Sequence, residues 1–492
     1  MERIWRKWKI YQSRMALLAV DFSVFLIFWG GMLRKSFNAD TIFHMVVEDA
    51  DIWSNVMAGR YVTALGDFLL LKMEVRTTTY LNITMLISFI IFTFALYELQ
   101  KLFIKWSPED KISRIGYLCG ISLIFLNVLF VEILMFSECC LYFAIGYLAA
   151  ILGVKCYVRK KYILMFLAFG VAVSSYQYTM IFAAIVIAFY LCMEQKQELS
   201  WNIVWREIIG IVCCLGMGAL NLGSMYLLKM TTLFRELDKN AGIGNLGKKI
   251  SKAGESLLEL YRSSADIMPK LWLPFLFSLA VWGIIIYSCI KNRRTRELLF
   301  IAMVWVGSHL LLYVIPFANI KFYFPPRMSF CFYLTQGLLA AVAFTVSCKP
   351  MRGLLTTGCV AYLLVQLLFA DFTITNHFIS NTLDKVYVNM VYQEILKYEE
   401  ETGIRVEKLA VENDEFAPTY YEEVNYAAHQ INERAVGQVT SSLVLVVTGR
   451  YFEWVDIEDE VYEYYFEGKD WDSFNLEEQL VIIGDTAYWC IY

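Results

Sequence analysis

Charge is scarce in this chain: Lys, Arg, Asp and Glu make up 18% of its 492 residues, and histidine occurs four times. Soluble domains are about a quarter charged and about half apolar. A chain that is 58% hydrophobic, with a mean hydropathy of +0.50, needs a second solvent, which excludes a soluble enzyme. Eight prolines and 27 glycines are too few for disordered or fibrous material. There is no phosphate-cradling P-loop and no dinucleotide-binding glycine fingerprint, and no nucleic-acid partner is expected. The twelve cysteines form no paired CxxC motifs and no Cys/His cluster, so nothing points to zinc or a redox centre; no cofactor is expected, and a divalent cation is left open without being indicated. Cys139, Cys140, Cys213, Cys214 and Cys289 lie within apolar runs, where a thiol packs as a small hydrophobe.

What the chain does have is apolar runs about as long as a bilayer is thick, roughly 20 residues each. Spans are expected at 15–33, 79–99, 115–136, 141–154, 162–173, 179–193, 208–228, 271–290, 298–316, 328–346 and 354–369. The first has no small-residue cleavage site behind it and reads as a retained helix. The opening MERIWRKWKIYQSR is basic and aromatic, as at a cytoplasmic interface, and the short loops 101–114, 155–161, 194–206, 291–296 and 349–352 all carry Lys or Arg. The positive-inside bias thus holds one register. An odd number of crossings puts the tail outside. The expected fold class is an all-α polytopic membrane protein of about eleven transmembrane helices with a small extracytoplasmic α/β domain. The division falls at 1–371 and 372–492. In the tail, 386–401 reads as a helix and 406–411, 443–447 and 480–483 as strands, and the segment is strongly acidic.

Candidate chemistry lies in the polar outer segments. In the first, 34–76, Asp40, His44 and Glu48 are spaced i, i+4, i+8 and share one face of a helix. A carboxylate there suits a general base toward a sugar hydroxyl; the plainer reading is the polar side of an amphipathic helix. Glu132 and Glu138 lie near the outer end of the third span, where a carboxylate in hydrocarbon needs a cavity or a partner. Asp21 suits pairing with another helix, and Tyr176 and Gln177 suit either a site or polar glue between helices. Loops 229–270 and 319–327 break the charge pattern, with Arg262, Lys321 and Arg327 among their basic residues. They are either solvated or an anion site, for example for a lipid phosphate.

In order along the chain, FNADTIFHMV with NVMAGR, then NVLFVEILMFSE, VSSYQ and NTLDKVYVNMVYQEILKY resemble the Gtr type II glucosyltransferase family of bacterial O-antigen-type membrane enzymes. The resemblance implies a GT-C class membrane domain in the bacterial plasma membrane. It also implies a catalytic carboxylate in the first outer loop, a polyprenyl-phosphate glucose donor and a cell-surface glycan acceptor. It puts Asp40 at the acidic loop motif, reduced here to Ala39–Asp40, Arg60 in the Gly-Arg element and Glu132 at the acidic position of the Asn-led motif. Asp40 is then the base, with Glu132 or Glu138 positioning the sugar or substituting. Arg60, Arg262 and Arg327 meet the phosphate, and His44, Tyr176, Gln177 and Lys321 complete the binding residues. The rivals are a transporter or flippase for a lipid-linked sugar, and a membrane scaffold. A transporter is expected to show paired interrupted helices, and none is legible here.

Overall fold

The structure, a computed structural model, describes residues 2–34, 36–46, 49–74, 80–194, 201–230, 245–319, 321–413, 420, 431–469 and 474–491. Helix α1 (Glu2–Trp29) leads into three short helices, α2 (Ala39–His44), α3 (Asp49–Met57) and α4 (Tyr61–Lys72). The bundle continues with α5 (Leu81–Phe103), α6 (Lys111–Ser122), α7 (Val131–Met135), α8 (Cys140–Val158), α9 (Tyr162–Ser175), α10 (Thr179–Glu194) and α11 (Trp201–Met230). After these come α12 (Leu246–Ser263), α13 (Leu273–Lys291), α14 (Thr295–Leu312), α15 (Val314–Ala318), α16 (Pro326–Ser329), α17 (Cys331–Val346) and α18 (Lys349–Thr402).

Among the described residues, eight helices are long and apolar enough to cross a membrane, and α9 and α10 are shorter apolar helices. The apolar surface is left facing outward: Ile163 on α9 is 78% exposed and Leu310 on α14 is 68% exposed. Helices α10 and α17 run the other way, buried on nearly every face, and form the bundle's centre. An outward apolar belt around a packed centre is what a lipid environment permits. The chain is a helical membrane protein.

The expected span 115–136 is not one helix. It stops at Ser122 and resumes at Val131, because the Asn127 side chain substitutes for the missing backbone bonds. Its amide donates to Leu123 O at 2.7 Å and Ile124 O at 3.0 Å, and its oxygen accepts from Leu129 N and Phe130 N. The whole break is buried, the condition under which irregular backbone is tolerated at membrane depth. An interrupted helix is therefore present where the sequence pattern showed only apolar continuity.

The helix ends divide into two sets. At one end Lys155 meets Glu98, Lys105 donates to Tyr190 OH at 2.8 Å, and Arg206 pairs with Glu194 at 3.2 Å. These are the Lys/Arg-bearing turns. At the other end Tyr61 meets Ser224 at 2.6 Å, Tyr178 donates to Leu312 O at 2.7 Å, and Ser264 meets Tyr333 at 2.6 Å. Asp21 pairs with a neighbouring helix as expected, accepting from Gln100 at 3.1 Å.

Helices α6 and α17 cross closely at a pair of glycines. A Cβ on Gly337 would lie 2.2 Å from the backbone oxygen of Gly120, so only glycine fits. Gly337→Ala is expected to cost about 1–3 kcal/mol by overpacking. Gly358→Ala, whose added carbon meets nothing within 4 Å, is the neutral control. Thermal unfolding in detergent reads both; equal midpoints would refute the tight crossing.

Helix α18 has 54 residues and is about 80 Å long at 1.5 Å per residue, far beyond a bilayer core of about 30 Å. The expected boundary at 371/372 falls inside it, and the expected helix 386–401 is its last part. Gly403, with φ of +72°, ends it. The projecting half packs Val388, Val391 and Ile395 against the C-terminal domain. That domain holds β1 (Lys408–Asn413), α19 (Thr440–Thr448), β2 (Glu453–Val455), α20 (Asp459–Tyr465), α21 (Leu476–Gln479), β3 (Leu480–Ile483) and β4 (Thr486–Ile491). The sheet order is β2-β1-β4-β3, with β1 parallel to both neighbours and β3–β4 an antiparallel hairpin. Two expected strands form as β1 and β3. The third, 443–447, is helix α19: Thr440, Leu443 and Val444 are buried at i, i+3, i+4, and a short apolar run does not itself choose its period. The aromatic end AYWCIY supplies β4, whose residues Thr486–Ile491 are all buried.

Candidate functional site

The segment 34–76 holds a capped helix near its start. Asn38 accepts the Thr41 backbone N–H at 2.7 Å, which starts α2. Asp40 and His44 both lie on α2, but the helix is only six residues long and ends where Met45 N–H turns back to Thr41 O and Ile42 O. The expected third member of that face, Glu48, lies outside the described residues. The Thr41 hydroxyl donates to Glu138, tying α2 to the turn before α8. Glu138 is buried, and burial pushes its carboxyl up to about 7; the Thr41 bond and His44 pull it down, while Asp40 adds to the rise.

That shift gives a test. The folded value lies above the ordinary 4.5, so the native state holds the proton more tightly. This contribution to stability is complete at low pH and is lost as pH rises from about 4.5 to about 7. Glu138→Gln keeps an acceptor for Thr41 but cannot ionise. The variant's melting midpoint is expected to gain on the wild type between about pH 5 and pH 8. Parallel curves would exclude a buried, titrating Glu138.

A second buried carboxylate lies at this end of the bundle. Glu132, at the start of α7, is fully buried, and both of its oxygens face Arg327 on α16. One accepts the Arg327 backbone N–H at 2.5 Å and the other accepts the guanidinium. The same guanidinium donates to Tyr323 OH at 2.6 Å and lies over the Phe136 ring at 4.6 Å. Two of its N–H groups are thus taken, and its side chain is 17% exposed. The planar fork is held rigidly with donors left over. Tyr323 feels Arg327, Glu132 and also Asp40, which brings the α2 carboxylate into the same neighbourhood.

Arg60 approaches from another element. It follows Gly59, whose φ of +72° and tight contact with Asn221 leave no room for a side chain. The turn is clamped from outside, since Gln177 donates to Ala58 O and Asn221 donates to Gly59 O at 2.8 Å. Gln177 is therefore a brace for the Arg60 turn. The Arg60 Nε is buried and has no hydrogen-bond partner among the described residues. Tyr176 lies between the arginines: burial pushes its hydroxyl up, and Arg327 and Arg60 both pull it down. Its hydroxyl donates to Arg327 O at 3.3 Å.

Eight of the ten expected residues are thus linked by bonds or electrostatic reach: Asp40, His44, Arg60, Glu132, Glu138, Tyr176, Gln177 and Arg327. Two are not. Arg262 pairs with Glu259 at 3.1 Å on its own helix α12, and Lys321 is exposed and makes none of these bonds. Sequence reasoning missed Thr41, Tyr323 and Asn221, neutral residues whose only signal is proximity. It also missed Glu433 of the C-terminal domain, which lies within electrostatic reach of Glu132. Among the described residues no three of His, Cys, Asp and Glu are grouped to hold a metal ion.

Chemically, the arrangement sets a fixed guanidinium and a second one, whose Nε has no partner among the described residues, with carboxylates a few side chains away. Such a group can hold a dianionic oxygen ligand and accept a proton beside it. No family model, curated protein or solved structure matches this chain.

Proposed function

We propose that the chain is a membrane glycosyltransferase of about eleven spans, GT-C-like, with its N-terminus cytoplasmic and its C-terminal domain outside the bacterial plasma membrane. It moves a hexose, glucose by the sequence resemblance, from a polyprenyl phosphate to a hydroxyl of a cell-surface glycan. The observation that carries this reading is the Glu132–Arg327 pair beside Arg60 and Asp40, all at the end of the bundle opposite the Lys/Arg-bearing turns.

In the reaction, Asp40 takes the proton of the acceptor hydroxyl as its oxygen bonds to C1 of the hexose. The C1–O bond to phosphate breaks, its electron pair goes to the phosphate oxygen, and polyprenyl phosphate leaves. Arg327 and Arg60 meet the charge that grows there. Aimed donors of this kind contribute about 2.7–4 kcal/mol each to barrier lowering. Glu132 acts through Arg327, holding it in place, because both its oxygens are already engaged.

The test uses the full-length protein in proteoliposomes with polyprenyl-phosphate [14C]glucose and surface glycan isolated from the expressing strain. Labelled glycan is expected with wild type and is expected to fall about a hundredfold or more with Arg60→Ala, whose Nε has no partner among the described residues. The buried break at Asn127 favours one other reading, a carrier for the same lipid-linked sugar. Label that crosses the bilayer without a new glycosidic bond would establish the carrier and overturn the transferase.

A further inference from the structure

Away from the arginine–carboxylate cluster, α1 carries a carboxyl group that the proposed reaction does not use. Asp21 lies in the apolar stretch Arg14–Leu33, about 10 Å along the helix from Arg14. It is 7% exposed, and its partner Gln100 on α5 is 1% exposed. The Gln100 amide nitrogen donates twice, to Asp21 Oδ1 at 3.1 Å and to Ser122 Oγ on α6 at 3.2 Å. Ser122 donates in turn to Leu118 O at 2.8 Å. These bonds use both amide hydrogens and the Ser122 hydroxyl.

Two oxygens are left over. Asp21 Oδ2 and Gln100 Oε1 are both buried, and neither has a hydrogen-bond partner among the described residues. Both are acceptors, and they belong to the two groups that the Nε2–Oδ1 bond already joins. An amide and a carboxyl group pair through two bonds when the carboxyl carries a hydrogen: the amide N–H meets one acid oxygen, and the acid O–H meets the amide oxygen. Turning the amide over exchanges its ends and still sets an oxygen against the carboxyl group, so the same hydrogen is needed. A buried acceptor without a donor is destabilising. One proton serves both.

The surroundings select a proton over a metal ion. Hard divalent cations take about six to eight oxygen ligands, and only two oxygens are on offer here. Among the described residues no basic side chain pairs with Asp21, and no charged group of α5 or α18 lies within its electrostatic reach. The titratable neighbour is Cys119 on α6. Helix α6 ends at Ser122, so the negative end of its dipole lies beside the carboxyl group and opposes an anion there. A neutral acid is also what a hydrocarbon surrounding favours.

We propose that Asp21 is a proton-binding site: its carboxyl group holds a proton in the folded protein and shares it with Gln100. The neutral acid–amide pair fastens α1 to α5 and, through Ser122, to the end of α6. Ser122 is where the interrupted helix stops, and Glu132 lies just past the point where it resumes. The proton thus secures the near end of the break whose far end holds Arg327. The site rests on the bonding around Asp21 and is independent of the proposed reaction.

The experiment is infrared difference spectroscopy of the full-length protein in lipid bilayers at neutral pH, wild type against Asp21→Asn. The carbonyl stretch of a protonated acid is expected in the wild type alone, with the carboxylate stretches unchanged. Loss of carboxylate bands in the variant, with no acid band in the difference, would overturn the proposal. Gln100→Leu removes the partner, so the acid band is expected to move to higher frequency; a band that stays in place would overturn the sharing. Thermal unfolding gives a second reading. Asp21→Asn puts an amide N–H where the acid O–H stood and is expected to melt as wild type. Asp21→Leu leaves Gln100 unmatched and is expected to melt lower. An Asp21→Asn midpoint as low as that of Asp21→Leu would show that the charge is needed and refute the neutral pair. A wild-type midpoint that rises with Na+ at constant ionic strength, and does not in Asp21→Asn, would put a metal ion in place of the proton.

Discussion

Asp40→Asn is expected to abolish glucosyl transfer at unchanged expression, membrane insertion and thermal midpoint. The substitution keeps the volume and removes the only property the reaction uses, a charged oxygen able to take the acceptor proton. A positioned base contributes about 10²–10⁴ to rate, so residual transfer should be about a hundredth of wild type or less. Stability should not follow, because Asp40 lies on the partly exposed side of α2 while Ala39, Thr41 and Ile42 on that helix are buried. Glu138→Gln is the comparison that gives the result meaning. Glu138 is buried and accepts from Thr41, so in this reading it holds α2 in place and its neutral variant retains transfer. If Asp40→Asn keeps full activity and Glu138→Gln loses it, the base has been assigned to the wrong carboxylate.

The contrast between those two carboxylates shows what could be read in the sequence. Asp40 is legible because its spacing to His44 is a local helical property, and local periodicity is written in the chain. The bond from Thr41 to Glu138 joins residues 97 apart, and no spacing rule announces it. The bundle was legible for the same reason as Asp40: apolar runs and Lys/Arg-bearing turns are local signals, and the turns do gather at one end. The break at Asn127 was not, because a single polar residue in an apolar run reads as tolerated until its side chain is seen replacing four backbone bonds. Residues 443–447 are ambiguous in the sequence for a different reason. Leu-Val-Leu-Val-Val is apolar at every position, so neither a twofold nor a 3.6-residue period stands out, and packing against α18 and α2 decides. The case for Arg262 and Lys321 rests on charge alone, which gives attraction to phosphate but no position.

Glu132→Ala is expected to be the most damaging single substitution in the site, and its rescue separates structure from function. The carboxylate is fully buried and meets Arg327 twice, through the guanidinium and the backbone N–H. Removing it leaves a mostly buried cation and a buried N–H without their acceptor. Breaking a buried pair from one side costs about 3–5 kcal/mol, a large part of the margin by which most domains stay folded. Loss of folded protein from the membrane is the expected result. Replacing both partners by apolar groups of similar volume is often neutral, so Glu132→Leu combined with Arg327→Met should recover much of the lost midpoint. Transfer should not return, because the double variant has no guanidinium facing the phosphate. A double variant that regained both would make the pair purely structural and leave Arg60 as the sole arginine of the proposed reaction. One that regained neither would trace the damage to the unpaired N–H of Arg327, which no apolar side chain at position 132 can satisfy.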